Sequence, residues 1–234
     1  MESCNASRKR LKTDYIDLYQ AHRFDVETPL EETLSAFDDL IRQGKVHYIG
    51  FSEWTAPQIA QALAIQDARG YNRFVSSQPQ YSALWRVIEA QVVPLSKKEG
   101  IGQIVWSPMA QGVLTGKYLP GVKPPAGSRA TDKKSGAGFI SAFMKDEILV
   151  AVQNLKPIAA DHDLTTSQLA LAWVLQNENV SSAIMGATKP AQVKENVKAS
   201  GVKLSKDVMA AIDKILGDLP ERSADMDKTP RPRA

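Results

Sequence analysis

Short apolar runs alternate along this chain with longer segments in which apolar side chains recur at helical spacing. The runs are too short for helices and rich in strand-forming residues, so we interpret them as strands at 15–19, 46–51, 74–77, 101–106 and 180–185. Such alternation is typical of right-handed βαβ units in a parallel sheet. Uninterrupted apolar stretches at 104–106 and 183–185 indicate a sheet that helices cover on both faces. The pattern fits either a doubly wound sheet or part of a (β/α)8 barrel.

Capping signals mark several helix boundaries. Thr28, Thr55 and Thr165 each stand three residues before a Glu or Gln, which is the spacing of a capping box, and Pro29 suits a first helical position. Pro94 kinks or restarts the helix predicted over 87–98. Further helices are predicted at 141–160, at 165–176, up to residue 198 and at 205–216, and residues 1–12 resemble the last turns of a helix. The Pro- and Gly-rich stretch 118–138 is predicted to be a long surface loop.

Four predicted strands end in residues suited to ligand binding, namely His22, Ser52, Gln78 and Trp106. In parallel α/β folds, ligands bind at the carboxyl ends of the strands. A serine hydroxyl and a glutamine amide suit a carboxamide group, and an indole offers a stacking face. Taken singly, each is an ordinary loop or core residue, so it is their recurrence that favours a shared site. No GxGxxG follows any strand, which is evidence against a Rossmann nucleotide site.

The fifth predicted strand leads into the stretch GATKPAQVKEN. Gly186 allows close approach of a ligand to the backbone, and the N–H groups around Thr188 open a helix. Lys189 adds a positive charge, so these residues together predict a phosphate site. The alternative is a capped surface helix that happens to carry a lysine.

Composition narrows the class of protein. The chain has 234 residues, 43% hydrophobic and 24% charged, which is enough for one sizeable core. Its net charge of +3 comes largely from the two ends, and no basic stripe with interleaved aromatics indicates nucleic-acid binding. The single cysteine, Cys4, excludes an internal disulfide and fits a reducing compartment. Without an apolar run of about 18 residues or a signal-peptide core, we expect a cytoplasmic protein that does not interact with membranes.

Four stretches carry a specific resemblance: TDYIDLYQAHRFD, TPLEETLSAFDDLIRQGKVHYIGFSEW, WSPMAQGVLTGKY and SQLALAWVLQNENVSSAIMGATKPAQVKEN. The chain resembles the C-terminal two-thirds of an aldo-keto reductase, in the branch that holds potassium-channel β-subunit-like proteins and bacterial and fungal reductases. The resemblance implies a (β/α)8 barrel that reduces carbonyls with NADPH, without metal or flavin. We expect about five of the eight βα units here, with a barrel domain at 1–217 and a polar tail at 218–234.

The resemblance also implies roles for individual residues. His22 matches the active-site histidine that orients the substrate carbonyl, Ser52 and Gln78 match the residues that hold the nicotinamide carboxamide, and Trp106 matches the aromatic residue that stacks on that ring. Ser107, Pro108, Met109, Ala110 and Gln111 match the segment along the pyrophosphate. Lys117 and Arg129 match basic residues that reach the pyrophosphate or the ribose phosphate. Gly186, Thr188, Lys189, Gln192, Glu195 and Asn196 match the adenosine end.

Some positions depart from the family pattern. Glu53, also assigned to the cofactor site, replaces the Asn or Arg frequent at that position, and Lys189 stands where relatives carry Arg or Ser. The catalytic Tyr, Lys and Asp of the family lie on earlier strands that precede the helix resembled by residues 1–12, so this sequence does not contain them. We therefore expect an N-terminally incomplete, inactive form of an NADPH-dependent oxidoreductase. The alternative is a non-catalytic NADP-binding regulatory subunit. A small carbonyl compound is the expected substrate, and homo-oligomerisation stays open.

Overall fold

The computed structural model describes residues 1–132, 134 and 136–224, which form two compact units. The first unit contains Met1–Pro79 and Glu89–Ile104, and the second contains Gln80–Ile88 and Val105–Ser223. The chain leaves the first unit at residue 80, returns to it at residue 89, and enters the second unit again within a strand.

Parallel strand pairing organises the first unit. Strands β1 (Ile16–Ala21), β2 (Val46–Phe51), β3 (Ser76–Ser77) and β4 (Gly102–Trp106) pair in the order of the chain, and each neighbouring pair is parallel. Parallel pairing between consecutive strands requires crossovers, and helices supply them. The predicted βαβ organisation is confirmed in this unit.

Gly50 allows β2 and β3 to come unusually close. In the register of the sheet, Gly50 lies between Gln20 of β1 and Ser76 of β3. A Cβ atom built on Gly50 would lie 2.7 Å from the backbone oxygen of Ser76, a separation that real Cβ atoms do not show. Only glycine fits at this position without displacing the backbone.

Helices pack on this sheet, and most apolar positions that the sequence repeats at helical spacing in α2 and α3 are buried. In this unit, Phe51 stacks on Trp54 at a ring-centroid distance of 5.1 Å, and Phe74 meets both rings edge-on at 5.2 and 5.4 Å. This cluster fixes the segment that follows β2 and carries Ser52 and Glu53. The helices of the first unit are α1 (Glu2–Leu11), α2 (Leu30–Arg42), α3 (Ala56–Arg69) and α4 (Val92–Glu99).

A buried carboxylate ties α2 to the turn after α3. Asp38, only 2% exposed, accepts hydrogen bonds from the backbone N–H and the side-chain amide of Asn72, both at 2.8 Å, and pairs with Arg42 at 2.6 Å. Burial alone would raise the pKa of Asp38, but the Asn72 donors and the Arg42 guanidinium outweigh it and hold the pKa below the ordinary value. The carboxylate therefore stabilises the fold when ionised.

Asp38→Asn is expected to lower the free energy of unfolding by about 1–3 kcal/mol at neutral pH, because donors of Asn72 and Arg42 lose their charged acceptor. Since the folded-state pKa is depressed, this contribution is present above the unfolded pKa of about 4 and is lost as the pH falls through the folded value. Urea unfolding at pH 7 and at acid pH should show the difference between variant and wild type shrinking at low pH. The matched control is Asp39→Asn, at an exposed neighbour; an equal loss in both variants would contradict this account.

The second unit is built around α8 (Thr166–Leu175), in which the stretch 168–174 is buried throughout. Strand β5 (Val180–Ile184) follows α8 and packs against it. The other helices of this unit are α5 (Ala137–Ile140), α6 (Asp146–Asn154), α7 (Lys156–Ala160), α9 (Pro190–Asn196) and α10 (Lys206–Leu216). Short 3-10 segments separate several of them.

Long-range bonds close the second unit. Arg86 donates to Asp213 of α10 at 2.6 Å, and its guanidinium lies 5.0 Å from the ring centroid of Trp173. The backbone of Glu221 accepts from the Arg86 N–H and donates to the Leu84 carbonyl. The first residues of the predicted tail are therefore hydrogen-bonded to the segment 84–86, and residues 225–234 lie outside the described part of the chain.

Several predicted helix and strand boundaries are confirmed, and others are wrong. The capping boxes at Thr55 and Thr165 are present, and the helix predicted over 87–98 restarts as α4 with Pro94 in its first turn. Thr28 caps no helix, because its hydroxyl donates to Asp25 at 2.7 Å and α2 begins after Pro29 without a side-chain cap. Strand β3 has two residues instead of four. The stretch predicted at 141–160 is divided into a 3-10 turn, α6 and α7.

The cover predicted for both faces of the sheet is wrong for the end of β5, where Ile184 is 44% exposed. The long loop at 118–138 contains a 3-10 turn, Arg129–Thr131, and the beginning of α5; its residues 133 and 135 lie outside the described part of the chain. Across the described residues, every helix is too short or too polar to cross a bilayer.

Candidate functional site

A cavity of about 580 Å³ opens in the second unit, where the chain leaves β4 and β5. This volume lies in the range of small-molecule sites, and the carboxyl ends of parallel strands are the usual place for them. Four parts of the chain line it: the segment after β4, the turn around Ser128, the first turn of α8, and the end of β5 with the following turn and α9. The predicted site residues among its lining are Ser107, Pro108, Met109, Gln111, Lys117, Arg129, Gly186, Thr188, Gln192, Glu195 and Asn196.

Three predicted residues of this unit do not line the cavity. Trp106 immediately precedes the lining, and its carbonyl accepts from the Tyr81 N–H at 3.2 Å, which fixes its backbone. Ala110 is fully buried under the turn, and Lys189 is exposed at the start of α9.

Sequence reasoning missed part of the lining. The glycines and small residues among these positions have no side-chain chemistry of their own to draw attention. Ser128 could have been inferred, because it directly precedes the predicted Arg129. Ser167 lies in the first turn of α8, and no motif connected that turn with a ligand. The missed residues are Gly112, Thr115, Gly127, Ser128, Ser167, Ile184, Met185 and Ala187.

The segment after β4 follows an unusual backbone path. Ser107 has φ = 55°, and the successive residues Ala110, Gln111 and Gly112 have φ = 47°, 60° and 97°. Positive φ is uncommon outside glycine and costs free energy, and such residues concentrate at functional sites. This path brings residues 107–109, 111 and 112 to the lining of the cavity and leaves Ala110 buried beneath it.

Gln111 connects two parts of the lining. Its amide oxygen accepts a hydrogen bond from the Arg129 guanidinium, and its amide nitrogen donates to the Ser107 hydroxyl. Arg129 belongs to the 3-10 turn Arg129–Thr131, and Ser107 directly follows β4. One side chain therefore links the long loop to the end of the strand.

The turn after β5 is closed by Gln192. Its amide oxygen accepts from the Thr188 N–H at 2.7 Å, from the Thr188 hydroxyl at 3.3 Å and from the Lys189 N–H at 3.3 Å. These are N–H groups that the sequence argument assigned to a phosphate, and here they are bonded within the chain. Phosphate binding at this turn stays a prediction, and it requires Gln192 to release these donors.

The charges along the cavity are mainly positive. Lys117 and Arg129 bring cations to the lining, and Glu195 brings a carboxylate. The Lys117 ammonium also lies 5.1 Å from the ring centroid of Tyr118, a cation–π contact that limits where the side chain points. A negatively charged ligand suits this lining better than a cationic one.

The first unit places other predicted residues at the ends of its strands. Ser52, only 4% exposed, donates its hydroxyl to the Gln78 carbonyl at 2.7 Å, and the Gln78 N–H donates to the Phe51 carbonyl at 2.8 Å. The structure thus brings Ser52 and Gln78 together, as a shared role requires. The Ser52 oxygen keeps lone pairs that can accept a hydrogen bond from an amide.

Glu53 and His22 complete this edge. The Glu53 carboxylate lies 3.5 Å from the Arg23 guanidinium, and its backbone has φ = 60°. Because Arg23 follows His22 directly, this ion pair joins the ends of β1 and β2. The His22 side chain is exposed after the last residue of β1. Among the residues that the structure describes, no group of three or more His, Cys, Asp and Glu side chains is arranged to hold a metal ion.

Comparison with known proteins decides the family. The profile of the aldo/keto reductase family matches residues 1–217. The chain belongs to the aldo/keto reductase family. That family has the (β/α)8 barrel fold, so the predicted fold class is confirmed, and the parallel strand–helix units of this aldo/keto reductase chain form part of such a barrel.

Similar proteins of the family carry channel-subunit names. A probable voltage-gated potassium channel subunit beta of Arabidopsis thaliana is 40% identical over 225 residues, covering 95% of this chain and 68% of the relative. A putative subunit of the same kind from Schizosaccharomyces pombe is 44% identical over 226 residues, covering 94% of this chain and 64% of the relative. A third, from Oryza sativa subsp. japonica, is 38% identical, covering 95% and 68%. The chain spans about two-thirds of the length of these relatives.

Proposed function

We propose that this aldo/keto reductase chain binds NADP(H) and belongs to an enzyme that reduces small aldehydes or ketones to alcohols. The observation that carries the proposal is the cavity in the second unit. Most residues that the resemblance assigned to the pyrophosphate and adenosine parts of NADPH line this one cavity, although they are spread from Ser107 to Asn196.

The chemistry of the lining supports a dinucleotide. Lys117 and Arg129 supply the cations that phosphates need, and the planar guanidinium is suited to binding two phosphate oxygens at once. Gly186 leaves room for close approach at the turn, because a Cβ built there meets no described residue within 4 Å apart from its two chain neighbours. The nicotinamide carboxamide is proposed to hydrogen-bond with Ser52 and Gln78, which the first unit holds together.

The proposed reaction is transfer of a hydride to a carbonyl carbon, and NADPH supplies that hydride when bound. His22 is proposed to donate a hydrogen bond to the carbonyl oxygen and so orient the substrate. The oxygen becomes an alkoxide, and a positioned acid must protonate it. None of the residues assigned to the site in this sequence has that role. In the family the acid is a Tyr assisted by a Lys and an Asp, so turnover is proposed to require a segment that carries them.

Tryptophan fluorescence tests the cofactor proposal. If the Trp106 indole stacks on the nicotinamide, titration with NADPH should quench the tryptophan emission, and Trp106→Ala should remove most of the quenching. Trp85→Phe serves as control, because Trp85 packs on Phe143 with a centroid distance of 6.4 Å and lies outside the lining of the cavity. Quenching that persists in Trp106→Ala would cancel the stacking role.

A second function is favoured by the relatives. Because similar proteins are named as potassium channel β subunits, we propose as the alternative a regulatory subunit that binds NADP(H) without catalysis. A form supplied with the N-terminal segment that binds NADPH and reduces no carbonyl substrate would favour this alternative.

Compartment and partners are also proposals. The free, buried Cys4 fits a reducing compartment, so we propose a cytoplasmic location. The proposed partner is a small carbonyl compound, with no role for nucleic acid or a membrane. Self-association into a homo-oligomer is proposed as a way to cover the exposed edge of β1, whose pairing in the described residues is with β2.

A further inference from the structure

We propose that Gln111 is a positioning residue that holds the Arg129 guanidinium ready for the anionic part of the ligand. The inference rests on the proposed function for the identity of that ligand. It concerns the free protein, in which Gln111 already bonds to Arg129 and to Ser107.

Both ends of the Gln111 amide are used. The oxygen accepts from Arg129 and the nitrogen donates to Ser107, so the orientation of the amide is determined by its two partners. Ser107 directly follows β4, which gives the bridge a fixed end on the sheet. Arg129, in contrast, is an exposed residue on a long loop, and its side chain would otherwise sample many rotamers.

The bridge leaves the guanidinium able to bind an anion. Arginine has five N–H donors, and the bond to Gln111 uses Nη1. The remaining donors can meet phosphate oxygens while Gln111 keeps its bond. Ordering Arg129 before the ligand arrives removes part of the entropic cost of binding.

The backbone of Gln111 supports a side-chain role. With φ = 60° next to Gly112 at φ = 97°, this position suits glycine better than a residue with a Cβ. A glutamine here carries a conformational cost, and its two hydrogen bonds are the compensation that the structure shows. Gln111→Gly removes these bonds and also relieves the backbone strain. The variant therefore tests the role of the side chain without destabilising the backbone at this position.

Two measurements test the proposal. The first is the rate of trypsin cleavage after Arg129 in the protein without added ligand, with the cleavage products identified by mass spectrometry. Trypsin must capture a free guanidinium, so Gln111→Gly should accelerate cleavage at Arg129 several-fold relative to the exposed Lys203 site. Gln111→Glu keeps an acceptor for Arg129 and should restore protection. Unchanged cleavage at Arg129 in Gln111→Gly, with the thermal unfolding midpoint maintained, would overturn the proposal.

The second measurement is NADPH affinity in a double-mutant cycle. Gln111→Gly and Arg129→Met should each weaken binding about tenfold, and the double variant should be little weaker than either. Gln153→Ala is the matched control, since Gln153 donates to the Tyr118 carbonyl at 2.9 Å and does not line the cavity; its effect should add to that of Arg129→Met. Independent losses from Gln111→Gly and Arg129→Met would contradict positioning. If wild type binds no NADPH, the proposed function fails, and the cleavage result alone decides the role of Gln111.

Discussion

The 234-residue chain assayed alone with NADPH and a nitrobenzaldehyde is expected to show no carbonyl reduction. The reason is that no residue assigned to the site in this sequence acts as the general acid. General acid catalysis contributes about 10²–10⁴-fold to rates, and small misplacements of catalytic groups reduce the rate by further large factors. An added N-terminal segment that carries the Tyr, Lys and Asp of the family, in cis or as a separate peptide, should restore turnover. The measurement is the loss of NADPH absorbance with and without that segment.

His22→Ala in the supplemented form is the control for this prediction, because it should lower turnover by removing the hydrogen bond that orients the carbonyl. Robust turnover by the bare chain, abolished by His22→Ala, would show that another residue of this sequence supplies the proton. NADPH binding by the bare chain is expected to be weak, on the expectation that it contains about five of the eight βα units of the barrel.

Lys189→Glu is expected to weaken NADPH binding by about 10–100-fold and to change NADH binding by about twofold or less. The reason is that a charge-assisted contact to the 2′-phosphate, worth about 1.5–3 kcal/mol, exists only with NADPH. Isothermal titration of both cofactors, in a form that binds them, measures the two dissociation constants. The structure places Lys189 at the start of α9, where it is exposed and directly follows Thr188 of the lining.

Lys194→Glu provides the matched control, because Lys194 is an exposed lysine of the same helix and does not line the cavity. It should affect both cofactors equally and weakly. If Lys189→Glu lowers the affinity for NADPH and NADH by the same factor, Lys189 does not recognise the phosphate.

Local signals predicted much of the fold. Strand β2 has the predicted bounds, because its apolar run is closed by polar residues at both ends. The capping boxes at Thr55 and Thr165 form since each needs only four consecutive residues. Thr28 shows the limit of such signals. The Thr28 hydroxyl could either cap the following helix or donate a hydrogen bond to Asp25. The sequence alone does not determine which of these two bonds forms.

The residues that line the cavity could be predicted where a family motif contains them. They could not be predicted where tertiary packing determines which side chains meet. The segment after β4 and the turn after β5 came from motifs. The bridge joins Gln111 to Ser107, four positions earlier, and to Arg129, 18 positions later, and it depends on the positive φ of Gln111, so no local sequence pattern predicts it. The assignment of Gln192 to the adenosine end of the cofactor stays a prediction, and its bonds to Thr188 and Lys189 became visible only in the structure.

The bond between Arg86 and Asp213 has a consequence for synthesis of the chain on the ribosome. These residues are 127 positions apart, and the pairing of residues 84–86 with Glu221 spans an even longer stretch. The strands β1 and β2 and the helix between them can form soon after they emerge, whereas the segment 80–88 must wait for nearly all of the remaining chain. Contacts of such high sequence separation slow folding and leave apolar surface open to aggregation in the meantime. We therefore expect Trp85 and its neighbours to stay without their packing partners during translation for longer than β1 and β2.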